Sequence, residues 1–96
     1  MAFNIILSEE ARQDEIESYQ YYEAQRVGLG GEFLNELEHC YDVLSRHPHL
    51  FGFIDTSYDL RDVKLKRFPF VIIYELSAEN VYVYSVHHTS RLSKQR

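Results

Sequence analysis

A chain of 96 residues that is 45% hydrophobic and 26% charged has the composition of one globular domain, 1–96, and is too short for a second core. Its net charge of −5 is unevenly spread: residues 1–59 carry 12 acidic and 3 basic side chains, residues 60–96 carry 3 and 7. That split excludes a uniformly basic nucleic-acid binder but permits a local positive surface, and the single cysteine, Cys40, excludes an internal disulfide.

The same asymmetry also arises if the helices are simply acidic and the strands basic. A lone cysteine suits a reducing cytoplasm. The N-terminal apolar run from Phe3 to Leu7 has no basic flank or cleavage site and is too short for a signal or membrane segment. The expectation is a soluble cytoplasmic protein. Eight Tyr and six Phe without Trp point to aromatic packing as the means of filling a small core.

Residues 2–7 read as a short strand. Ser8 followed by Glu9 and Glu10 is a helix-start signal, because an oxygen and two carboxylates satisfy the free N–H groups of a first turn. The first helix is expected from Glu9 to about Arg26, with Ala11, Glu15 or Ile16, Tyr19 and Tyr22 inward and Glu15 near the edge. Gly28-Leu29-Gly30-Gly31 then ends it and turns the chain. A phosphate-cradling loop is a poor reading here, since no strand precedes the glycines and no Lys follows.

The second helix is expected from Gly31 to about His47. Phe33, Leu34, Leu37, Cys40, Tyr41 and Leu44 repeat at helical spacing, and Pro48 stops the helix. Cys40 on that stripe reads as a small core residue rather than a nucleophile. The segment 47–54 is an apolar connector with room for a short extended piece. His39, His47 and His49 invite a metal site, but their spacing and the lack of a completing ligand argue against one.

From Leu60 the period becomes two. Val63 and Leu65 share a face with Arg61 and Arg67, while Asp62, Lys64 and Lys66 take the other. An arginine on an apolar strand face is either a lid that snorkels outward or a placed cation. Phe70 to Leu76 is apolar on both parities, with Pro69 at its start, so it reads as a central strand covered on both sides. Burial there is worth about 1.5–3 kcal/mol for each of Val71, Ile72 and Ile73. Residues 77–80 form a turn and Val81 to His88 a last strand. Thr89 to Arg96 is a basic tail without periodicity. The order β-α-α-β-β-β predicts an α+β domain, an antiparallel sheet with a helical hairpin packed on one face; the place of the first strand stays open. The opposite face has few elements left to cover it.

In order, Tyr21-Tyr22-Glu23, Gly28-Leu29-Gly30, Phe33-Leu34-Asn35-Glu36-Leu37, Arg61, Leu65, Arg67-Phe68-Pro69-Phe70-Val71-Ile72-Ile73-Tyr74 and Val86-His87-His88-Thr89-Ser90-Arg91 resemble the RelE/ParE toxin superfamily, in particular its ParE-like, plasmid-stabilisation branch. The resemblance spans nearly the whole chain. It implies the toxin of a bacterial type II toxin–antitoxin module, held inactive in a hetero-oligomer by a cognate antitoxin that wraps it. RelE-type members cut messenger RNA on the ribosome; ParE-type members block DNA gyrase. No cofactor, metal or membrane partner is implied.

Cleavage by a 2′-hydroxyl needs a base, an acid and cations around the phosphate. The candidates are Arg61, Arg67, His88 and Arg91, with Lys64, Lys66 and His87 as further possibilities; either histidine can equally be a packed, hydrogen-bonded core residue. His88 and Arg91 match the His-x-x-Arg of the superfamily. No tyrosine follows Arg91, so the late tyrosine of some RelE nucleases is missing. The acidic helical half also suits a ribosome binder poorly. The expectation is therefore a ParE-like toxin that binds a target such as gyrase, with a ribosome-dependent endonuclease and a non-toxic antitoxin-binding module as alternatives.

Overall fold

The computed structural model describes residues 2–55 and 60–89. In chain order these form β1 (Asn4–Leu7), α1 (Glu9–Gln25), α2 (Leu29–Arg46), a 3-10 turn (Pro48–Leu50), β2 (Phe53–Asp55), β3 (Leu60–Lys64), β4 (Phe70–Ser77) and β5 (Asn80–His88). The sheet order is β1-β5-β4-β3-β2. The meander β3-β4-β5 is antiparallel, as the short connections require, and β4 is central. β1 lies parallel to β5, so the complete sheet is mixed. The three-residue β2, which begins in the 47–54 connector that had room for a short extended piece, pairs with the start of β3.

Ser8 joins the first strand, the first helix and the sheet. Its Oγ accepts from Ala11 N at 3.0 Å and donates to the Tyr84 carbonyl at 2.8 Å, while its own N–H donates to the Val83 carbonyl. The expected N-cap is therefore also a pin onto β5.

Opposite it β5 carries a bulge. Val83 pairs with Tyr74 and Ser85 with Ile73, which leaves Tyr84 as the extra residue. The bulge switches parity: Val81 and Val83 face the helices before it, Val86 after it, and all three are buried. Beyond the bulge β1 has ended, and the Val86 N–H donates instead to the buried Asp14 carboxylate on α1, at 2.9 Å. The sequence reading placed Glu15 or Ile16 on that inward stripe. Asp14 takes the place because the strand needs an acceptor there, and Ile16 is 50% exposed.

The hairpin turn also differs from its expected form. Gly28, with φ of 92°, starts α2 rather than ending α1, and α2 begins at Leu29. The Glu23 carboxylate accepts from the N–H groups of Gly28 and Gly30 at 2.9 and 3.0 Å, satisfying donors that a helix start leaves free. A Cβ on Gly30 would lie 2.7 Å from the ring and carbonyl of Tyr19, so the helices cross where only glycine fits. Lower down, the Tyr41 hydroxyl donates to the half-buried Glu15 carboxylate. Burial raises the pKa values of both groups.

The core between hairpin and sheet is aromatic at one end. Tyr22, Phe33, Phe68 and Phe70 pack with ring centroids 4.9 to 6.1 Å apart. At the other end Tyr74 is fully buried and donates to the Pro48 carbonyl at 2.7 Å. On the outer face of β4, Val71 is buried and Ile73 half-buried.

Candidate interaction site: the basic turn and its groove

Residues 65–69 connect β3 to β4 and carry two of the four Lys and Arg side chains among the described residues 60–89, Lys66 and Arg67. Two anchors fix this turn. Phe68 sits in the aromatic cluster, 6% exposed. The Leu65 N–H donates to the Phe70 carbonyl at 3.0 Å and the Phe70 N–H to the Phe68 carbonyl at 2.8 Å. These leave the Lys66 and Arg67 N–H groups pointing toward α2, where both donate to the Glu36 carboxylate, at 2.6 and 3.1 Å to Oε2.

The Arg67 guanidinium lies 5.2 Å from the Phe68 ring centre and donates to Glu32 Oε1 at 2.7 Å. Glu32 Oε2 in turn meets Arg26 at 3.4 Å. The hydrogen bond from Arg67, reinforced by the Arg26 charge, holds the Glu32 carboxyl below the usual carboxylate range.

Beside the turn runs a groove of about 600 Å³ between α2 and β3. Its apolar lining is Cys40, Val43, Phe51, Val63 and Leu65. Glu32, Glu36 and His39 form one bank; Lys64, Lys66 and Arg67 form the other. β2 pairs only with Leu60 and Arg61, and the last bond from this flank is Asp62 N–H to the Gly52 carbonyl. At Val63 and Lys64 the outer edge of β3 has no strand beside it among the described residues, and that edge borders the groove.

The sequence-predicted site residues do not share one place. Arg61 is 7% exposed, on the helix-facing side, and its Nη1 donates to the carbonyls of Phe51 at 2.8 Å and His49 at 3.4 Å. Arg67 is on the surface at the groove. His88 ends β5 opposite Phe70 and meets its ring edge-on at 5.3 Å. Arg61 pairs with Tyr74 and His88 with Phe70, four positions apart on β4, or about 13 Å at the usual strand rise. Arg91 lies outside the described residues.

His87 faces the opposite side of the sheet, paired with Val71, and its buried Nδ1 has no partner among the described residues. The thiol of Cys40 is half-buried in the groove wall, and burial raises its pKa. Among the described residues no three His, Cys, Asp or Glu are placed to hold a metal ion, and no helix is long and apolar enough to cross a membrane.

A family profile described as "ParE toxin of type II toxin-antitoxin system, parDE" matches residues 5–93. The chain belongs to the ParE toxin family. Its fold is similar to a chain of the chromosomal ParDE toxin–antitoxin system from P. aeruginosa, with a TM-score of 0.77 and 12% identity over 91% of this chain and 96% of that one. It is also similar to a chain of the E. coli DinJ–YafQ toxin–antitoxin complex, with a TM-score of 0.69 and 12% identity over 96% and 98%. No curated protein matches it in sequence.

Sequence reasoning about this ParE-family chain missed the carboxylates that shape the site. Glu36 and Glu32 stand one helical turn apart on α2, and nothing in the pattern announces that two backbone donors will arrive at one of them. The available signal was the like-charge i, i+4 pair itself. Such a pair is unfavourable on a lone helix and so points to cations coming from elsewhere.

Proposed function

We propose that this chain is the toxin of its module, that it acts in the cytoplasm by binding a large target, DNA gyrase, and that a cognate antitoxin silences it in a stable hetero-oligomer. The observation that carries the reading is the dispersal of the candidate cations. RNA cleavage needs charge and proton-transfer groups around one phosphate. Arg61 is instead spent on two backbone carbonyls, about 13 Å along the sheet from His88. The ribosome-dependent endonuclease, with Arg61, Arg67, His88 and Arg91 as its set, is less well supported by this arrangement.

The antitoxin part rests on the end of β3, which has no strand on its outer side among the described residues and lies beside an apolar groove. Extended segments add to such edges through backbone hydrogen bonds and place alternate side chains in adjoining pockets. The family match gives the reading its context, since the matched profile describes toxins of two-component modules.

The test adds the purified chain to two assays, gyrase supercoiling and messenger-RNA integrity in reconstituted translation. Supercoiling blocked at micromolar chain with RNA intact is the expected result. Ribosome-dependent RNA cuts would move the assignment to the endonuclease. If neither assay responds while the antitoxin still binds, the chain is a binding module without toxicity.

A further inference from the structure

The two N–H groups of Lys66 and Arg67 converge on one carboxylate, and successive N–H groups in a turn make an anion-binding concavity. Here that concavity is filled from inside the molecule by Glu36. We infer that the β3–β4 turn is an anion site which Glu36 holds closed, and that an acidic side chain of a docked protein segment takes the place of Glu36.

Three features support exchange over a permanent cap. Glu36 and Glu32 are like charges at i, i+4 on α2, and both lean on the same basic turn, so Glu36 relieves repulsion when it swings into water. Lys64 and Lys66 line the groove without an ion pair among the described residues, so an incoming carboxylate meets unneutralised cations as well as the two N–H groups. Finally, the turn stays in place without Glu36, because Phe68 is buried among aromatic rings and the Leu65 and Phe70 N–H groups bond within the turn.

The occupant follows from the groove. A nucleic-acid strand would set phosphates over the apolar lining and against Glu32. A protein segment with apolar side chains and one acid fits both the lining and the basic bank, and its backbone can pair with the outward N–H and carbonyl of Lys64 at the end of β3. The identity of that segment as part of the antitoxin rests on the reading above; the anion site itself does not.

The test uses the full chain and its Glu36→Ala and Glu36→Gln variants, followed by amide ¹⁵N–¹H spectra. The first probe is inorganic phosphate. Saturable shifts centred on the amides of Lys66 and Arg67 are expected in Glu36→Ala, with apparent affinity at least about tenfold weaker in the parent chain, where the competent state is rare. Glu36→Gln keeps one acceptor and falls between, so the series still reads out if the alanine variant folds poorly. Absence of saturable shifts in both variants overturns the anion site.

The second probe is a candidate antitoxin, a short protein whose reading frame adjoins that of this chain. Glu36→Ala is expected to tighten its binding about fivefold. An unchanged or weaker affinity overturns the exchange, since Glu36 would then only support the turn. A protein that binds neither parent nor variant overturns the antitoxin reading, and the exchange with it, but leaves the phosphate result standing. Tighter binding of a single-stranded RNA oligonucleotide by Glu36→Ala, with no gain for the protein partner, overturns the choice of occupant.

Discussion

Arg61 and Arg67 stand six residues apart, on the same strand parity, and do opposite work. Arg61 is inside the molecule with its guanidinium on the carbonyls of the 49–51 connector. Arg67 is outside, 60% exposed at the side chain, with its guanidinium on Glu32. The first end of β3 is closed by β2 and the 3-10 turn; the second opens onto the groove. A buried cation that donates to carbonyls fixes chain geometry, whereas an exposed one held by a single carboxylate can change partner. The difference between the two ends comes from what packs beside each arginine, and the strand pattern does not contain it.

The sharpest way to break this contrast is to remove what holds the open end in place. Phe68→Ala should cost about 3–5 kcal/mol in urea unfolding, because its ring fills the aromatic cluster and the turn loses its anchor. Arg61→Ala should cost about 3 kcal/mol by the same measurement, with Arg61→Lys restoring little, since one ammonium does not reproduce a fork aimed at two carbonyls. A loss below about 0.5 kcal/mol would show that Arg61 does not hold the connector.

Gly30→Ala tests the hairpin that carries the acidic bank of the groove. Its Cβ would press on Tyr19, and about 2 kcal/mol of destabilisation is expected in thermal unfolding. Arg67→Ala should change stability by less than about 0.5 kcal/mol, as for other exposed ion pairs, while weakening the antitoxin complex.

The smallest effect is on pH. The Glu32 carboxyl is held below its usual range by Arg67, so the contact is complete above the ordinary carboxylate pKa, about 4.3. It is lost as pH falls through the lowered value. Side-chain NMR of Arg67 should therefore stay constant from neutral pH to about 4.5 and change only below it. A change centred above that range would mean that Arg67 does not hold Glu32.

Much of the fold was legible because periodicity and capping are local. The Ser8 cap, the α2 stripe through Phe33, Leu37 and Leu44, the Pro48 stop and the central β4 all follow from neighbours along the chain. The site was less legible. The parity of Arg61 matched that of Val63, yet parity alone left a lid and a placed cation as equal readings. His88 was placed on a strand, but its packing on Phe70 depends on the bulge at Tyr84, which switches the faces of β5. Asp14 could not be seen as a strand partner before it was known that β1 stops short of Val86.

The sequence alone determined β1, the two helices, the antiparallel meander β3-β4-β5 and the family, because hydrophobic period, turn residues and a long ordered set of motifs reside in the chain itself. Only the tertiary structure decided that β1 runs parallel along β5, that α2 and β3 bound a groove, and that Glu36 sits in the β3–β4 turn. Those facts join residues some 20 to 76 positions apart. Contacts at that separation depend on how the layers pack, on which side each element faces, and on which backbone donors packing leaves to be satisfied.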